Sequence, residues 1–177
     1  AWEKNPASAD RDIAPALVGV LAHCGDRARY DGFKSKFKSA RTPQEEQRYL
    51  FSLTNFRDPA LLRATMAMAL DGQVRTQNAP YLMHSLLLNT HGRYEAWDFM
   101  RSRWDEMTRK YPDSAMPRMC EGVIALLDRE EEVKSFFAQH RVRLGGKLID
   151  QHLERLAVAV NFRRREGSRL AATLKPA

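Results

Sequence analysis

Cysteine is scarce in this chain, with only Cys24 and Cys120 in 177 residues. No Cys-x-x-Cys pair occurs, and two cysteines do not make a disulfide framework. Both flank apolar helical positions and read as small buried hydrophobes, with a single bridge between them left open. The five histidines, His23, His84, His91, His140 and His152, never recur at a four-residue spacing. The His-Glu-x-x-His zinc motif is therefore absent. His84 and His91 lie seven apart and are candidates for one helix face, but no carboxylate is placed to complete a metal set. His91 beside Gly92 suits a helix end, where a histidine complements the dipole. There is no Gly-x-Ser-x-Gly elbow, and Gly145-Gly146-Lys147 lacks the strand and glycine spacing of a phosphate loop. It reads as a loop leading into a helix. No two-residue alternation is sustained and no Asn-Gly or Asp-Gly hairpin signal appears, which argues against β-structure. The longest apolar run, Ile13 to Cys24, is broken by Pro15 and His23. It falls short of the ~18 residues that a membrane span needs, and no basic leader precedes it.

What is present is helix after helix. Apolar residues make up 44% and charged residues 29%, a balance that favours a folded chain over a disordered one. Ile13, Leu17, Val20 and Leu21 share a helical face, as do Leu62, Met66 and Leu70. Trp97, Met100, Trp104, Met107 and Tyr111 recur at three- and four-residue steps over four turns, and Met116, Met119, Val123 and Leu127 follow suit. Ile149, Leu153, Leu156 and Val160 form the stripe of the last long helix. Thr42-Pro43-Gln44-Glu45 is a capping box with proline at the first helical position. Asp58-Pro59, Asn78 with Pro80, and Asp128 with Glu131 are further helix starts. Breaks fall at Gly25-Asp26, Asn55 to Asp58, Asp71-Gly72, His91-Gly92, Pro112-Asp113, Gly145-Gly146 and Gly167. The pattern predicts nine or ten helices of 10 to 20 residues joined by short loops, which makes consecutive helices antiparallel neighbours. The pair length suits an all-α, curved HEAT- or armadillo-like α-solenoid forming one domain over 1–177. Residues 1–11 are expected to be a polar, weakly ordered lead-in. The opening on Ala1 predicts a piece of a longer polypeptide.

The net charge is +7, which draws anionic partners in general. The basic residues are scattered in small clusters: Lys34, Lys36 and Lys38; Arg141, Arg143 and Lys147; Arg163 to Arg165. No aromatic residues interleave with them as base-stacking platforms require, so nucleic acid is not the expected partner. The acidic clusters Glu45-Glu46, Asp105-Glu106 and Glu130 to Glu132 read as helix-dipole complements on solvated faces.

Several segments carry a resemblance. They are Thr42 to Glu46 with Tyr49-Leu50, Leu53 and Asp58; Gly72 to Asn78; and Gly92-Arg93 with Ala96-Trp97-Asp98-Phe99 and Trp104. Arg118 with Phe136-Phe137 follows, then Gln151, Leu153-Glu154, Asn161-Phe162 and Leu170 to Leu174. In this order and spacing the chain resembles the C-terminal helical domain of the zinc aminopeptidases, the group of aminopeptidase N and the puromycin-sensitive enzyme. The zinc site and the Gly-x-Met-Glu-Asn motif of that family belong to a preceding catalytic domain that is not in this sequence. The resemblance implies a parent that removes N-terminal residues from peptides, with a zinc-activated water attacking the carbonyl. It also implies a helical domain that encloses the catalytic chamber and reaches the distal part of the peptide. Its expected partners are the catalytic domain of the same polypeptide and the peptide substrate.

By that resemblance Gln77 is the chamber-facing candidate. Arg75 and Arg118 are candidates for a peptide carboxylate, which a guanidinium holds through two parallel hydrogen bonds. No catalytic or metal-binding residue is expected in the chain, which is predicted to be inactive alone, with zinc held by the catalytic domain. Trp97, Phe99, Trp104, Phe136 and Phe137 are expected in the core. The compartment expected is the cytoplasm. The alternative is a free-standing α-solenoid that binds a protein or peptide. A basic solenoid that binds nucleic acid, with affinity falling steeply with salt, is a third reading.

Overall fold

The computed structural model describes residues 13–174, so the expected lead-in over 1–11 lies outside the described residues. Ten α-helices follow one another, with no strand among the described residues. They are α1 (Ala14–His23), α2 (Arg27–Lys38), α3 (Pro43–Ser52), α4 (Pro59–Met68) and α5 (Ala79–Leu88), then α6 (Arg93–Ser102), α7 (Trp104–Lys110), α8 (Met116–Glu121), α9 (Glu130–Gln139) and α10 (Gly146–Thr173). Short 3-10 turns extend α3 over Leu53–Asn55 and flank α8 over Asp113–Ala115 and Gly122–Ala125.

Local chemistry sets several starts. The Thr42 side chain accepts from the Glu45 N–H at 3.2 Å, and Glu45 returns a bond to the Arg41 N–H at 3.1 Å. Asp58 accepts from the Ala60 N–H at 2.7 Å. Asp26, which the pattern marked only as a break, caps α2 through the Arg29 N–H at 3.0 Å. Proline occupies the first turn of α1, α3, α4, α5 and α8, where its missing N–H costs nothing. Two expected caps are absent. Neither Asn78 before α5 nor Asp128 before α9 bonds a first-turn N–H through its side chain. Asp128 instead accepts from Tyr94 Oη at 2.5 Å and from Arg163.

Packing proceeds along the chain. α2 lies on α3, α1 on α3, α4 on α5 and α6, α5 on α6 and α8, and α10 on α8 and α9. The core runs through these contacts as one cluster. Its N-terminal part holds Tyr30, Phe33, Tyr49 and Phe56, with the Tyr30 and Phe56 rings edge-to-face at 5.3 Å. Its C-terminal part holds Trp97, Trp104, Phe136 and Phe137. Phe136 meets both indoles edge-to-face at 5.2 Å. The aromatic core expectation holds for these four, while Phe99 is half-buried.

The structure corrects four details. The Trp97–Tyr111 stripe crosses two helices rather than one, because Arg103 (φ −116, ψ 15) leaves helical geometry between α6 and α7. Gly167 lies inside the 28-residue α10 and does not end it; a lone helical glycine costs only about 1 kcal/mol against alanine. In α1 it is Val18 and Ala22 that are buried, while Ile13 and Val20 point outward. Val20 falls about 200° round the helix from Val18, so the two cannot share a face. Cys24 is exposed and only Cys120 is buried, both as free thiols. Gly145 begins α10 with φ 79, and an added Cβ would stand 2.6 Å from Pro117 Cγ. Glycine is required there on both counts.

Candidate functional site

Arg75 and Gln77 share the turn between α4 and α5. The turn is held from three sides. Asp71 accepts from the Gln73 N–H at 2.9 Å, and the buried Val74 anchors the middle. The Arg75 carbonyl accepts from the N–H groups of Asn78 and Ala79 at 2.8 and 3.0 Å. At the end of α7, Lys110 Nζ donates to the Leu70 carbonyl at 2.7 Å, and Tyr111 Oη, one residue past that helix, donates to the Ala69 carbonyl at 2.9 Å. A turn pinned this way holds its backbone in one place while its outward side chains stay free to turn. Arg75 is exposed and pairs with Glu46 of α3 at 3.1 Å. Gln77 is exposed, and its side chain has no hydrogen-bond partner among the described residues. An exposed pair such as Arg75–Glu46 is worth at most about 1 kcal/mol, so its guanidinium exchanges readily for another carboxylate.

Arg118 stands elsewhere, on α8, where it pairs with Glu121. Glu121 also accepts from Arg155 of α10 at 3.1 Å. Burial pushes the Glu121 carboxyl up, but Arg155 and Arg118 outweigh it and hold the group below the usual carboxylate range. No hydrogen bond or ion pair among the described residues joins Arg118 to Arg75 or Gln77. The structure therefore brings two of the three candidates together and leaves the third at the junction of α5, α8 and α10.

That junction holds two residues the sequence reading did not group. His152 of α10 is buried, with Nε2 3.1 Å from the Pro117 carbonyl. His84 of α5 lies near it, against the backbone of Arg118. The Nδ1 atom of each ring is buried with no hydrogen-bond partner. Burial is the main cause that lowers the pKa of both. No local signal marks the pair, since 68 residues separate them in the chain. His84 does not share a helix face with His91. α5 ends at Leu88, and His91 falls in the next turn, its ring 5.9 Å from that of His23.

A second surface feature runs along α10. A groove of about 790 Å³ is lined by Ile124, Leu127, Val158, Phe162 and Leu170, with Arg163 and Glu166 on its rim. Val158, Phe162 and Leu170 are each about 60% exposed. Among the described residues no three or more His, Cys, Asp or Glu side chains are grouped to hold a metal ion. Among them, too, no helix is long and apolar enough to cross a membrane. Burial pushes the Cys120 thiol up, which makes it inert as a nucleophile.

These features define an all-α domain that offers pinned surface side chains and open grooves. Residues 1–158 match the family described as the ERAP1-like C-terminal domain, and the chain belongs to that family. It is 29% identical over 143 residues to "Endoplasmic reticulum aminopeptidase 1" of Mus musculus, covering 77% of this chain and 15% of that protein. It is 27% identical over 134 residues to "Probable aminopeptidase 2" of Sulfurisphaera tokodaii, covering 75% of this chain and 17% of the relative. It is 26% identical over 140 residues to "Aminopeptidase M1-B" of Oryza sativa subsp. japonica, covering 77% and 16%. The chain spans about a sixth of the length of these relatives, and the match falls in their C-terminal part.

Proposed function

We propose that this chain is the non-catalytic C-terminal domain of a zinc aminopeptidase, stacked as a curved helical array that helps enclose the chamber of its parent. The observation that carries this is the match to the C-terminal sixth of aminopeptidases over most of the chain. Zinc and the peptide-bond chemistry would then belong to the catalytic part of the same polypeptide, which is the partner of this domain. Gln77 and Arg75 would meet the distal part of the peptide from the α4–α5 turn. Arg118 would supply a further cation. The anchoring of that turn supports the assignment, because its backbone needs no reordering when the side chains bind. Two free thiols, one of them exposed, favour a reducing compartment such as the cytoplasm.

The test uses the parent polypeptide with Gln77→Ala, Arg75→Ala and Arg118→Ala. Peptide hydrolysis is compared with hydrolysis of single-residue fluorogenic amides. The expected result is a KM for peptides raised severalfold, with turnover of the short amides unchanged. Equal effects on both substrates, or none on either, would remove these residues from peptide contact. The apolar groove along α10 favours a second reading, a helical scaffold that holds a protein or peptide on its outer face. A reading frame that ends near this length, without an upstream catalytic domain, would select it.

A further inference from the structure

The junction of α5, α8 and α10 contains two imidazoles whose neutral form is favoured by burial. The His152 ring is held by its Nε2 contact with the Pro117 carbonyl. A carbonyl only accepts, so Nε2 carries the proton and Nδ1 is the bare nitrogen. That Nδ1 is buried and faces no donor or acceptor. Protonating it would create a charged N–H with nothing to receive it, inside the packing between two helices. The Nδ1 of His84 is likewise buried with no hydrogen-bond partner, and the Arg118 backbone beside that ring favours its charged form less strongly than burial opposes it. The charged groups that act on the two rings are Arg118 and Glu121 of α8 and Arg155 of α10, and His152 acts on His84. Glu121, which also pairs with Arg118 and Arg155, favours the charged form of both rings, but burial opposes it more strongly. The two arginines and the neighbouring ring oppose a new positive charge.

We propose that this junction is an acid-released clasp: neutral His84 and His152 hold α10 on α8 beside α5, and proton uptake by the pair loosens α10. Burial depresses the folded-state pKa of each histidine below its free value. The contribution of the pair is therefore fully present above the free histidine value of about 6.5 and is lost as pH falls through and below it. Glu121, a carboxylate held low, titrates well below this window and does not produce the same effect.

The experiment is backbone hydrogen exchange by mass spectrometry on the 177-residue chain at pH 7.5, 6.5 and 5.5, normalised to unstructured peptides at each pH. The first half of α10 is read against α2 and α3 as an internal reference. The clasp predicts that opening of α10, but not of α2 and α3, grows as pH falls, with an uptake approaching about two protons. His84→Gln and His152→Gln should each remove about one proton from that slope, and the double variant should flatten it. A slope in α10 equal to that in α2 and α3, or unchanged in the variants, overturns the proposal. If His152→Gln fails to fold, NMR titration of the two rings in the unaltered chain decides. Midpoints below the free value sustain the clasp, and midpoints at or above it overturn it.

Discussion

Two polar joints tie this domain together, and they are built in opposite ways. Near the N-terminal half, Asn89 spans from the end of α5 to the α3–α4 connection. Its Nδ2 donates to the Thr54 and Phe56 carbonyls at 2.6 and 2.9 Å, and its Oδ1 accepts from the His91 N–H at 2.7 Å. Tyr30 and Thr65 nearby share a hydroxyl contact at 2.9 Å, and Thr65 also donates to the Leu61 carbonyl at 3.0 Å. The joint of α5, α8 and α10 uses imidazoles instead and leaves two buried nitrogens without partners. A satisfied joint made of amides and hydroxyls is indifferent to pH over the physiological range. One made of unsatisfied histidines is not. Strength and responsiveness thus sit at different ends of one continuous core.

The largest expected effect lies in the aromatic cluster of α6, α7 and α9. Trp97→Ala should cost roughly 3–5 kcal/mol in urea unfolding, because the indole is fully buried and edge-on to Phe136. If that loss were confined to the C-terminal helices, the two ends would be separate cooperative units. Asn89→Ala attacks the first joint and should cost about 1–3 kcal/mol by stranding two carbonyls. Unlike the histidine variants, it should shift stability equally at pH 7.5 and 5.5. Thr42→Ala removes the α3 cap and should cost about 1 kcal/mol, again without pH dependence. The smallest effect belongs to the exposed Asp128. Arg163, and then Tyr94, hold its carboxyl down at about 2. Its contribution is present above the ordinary aspartate range and lost only as pH falls towards 2. In Arg163→Gln, NMR titration should find the midpoint moved up towards the ordinary value, with stability changed by less than about 1 kcal/mol.

The helices were legible because their burial is periodic. Leu62, Met66, Trp97, Met100, Leu156 and Val160 all face inward as their spacing demands. The caps at Thr42 and Asp58 were legible because capping is a local hydrogen bond. Asn78 and Asp128 look alike in sequence but do not cap. Asp128 is claimed by Tyr94 and Arg163, which lie 34 and 35 residues away. The burial of α1 was misread because Val20 is as apolar as Val18, and only the position of α3 decides which is covered. For the candidate site, residue types were readable but their surroundings were not. Arg75 finds Glu46 across 29 residues, and the two histidines meet across a longer gap. Contacts of this kind depend on how helices stack, which no local pattern specifies.

The chain has three tryptophans, and two of them, Trp97 and Trp104, stand in the same C-terminal cluster. Trp2 lies outside the described residues. Within the described fold, indole emission therefore reports on α6, α7 and α9 and is silent about α1 to α4. Far-ultraviolet circular dichroism, in contrast, weighs every helix. The protein thus carries a built-in optical asymmetry. A denaturation followed by both signals compares its two ends without any added label.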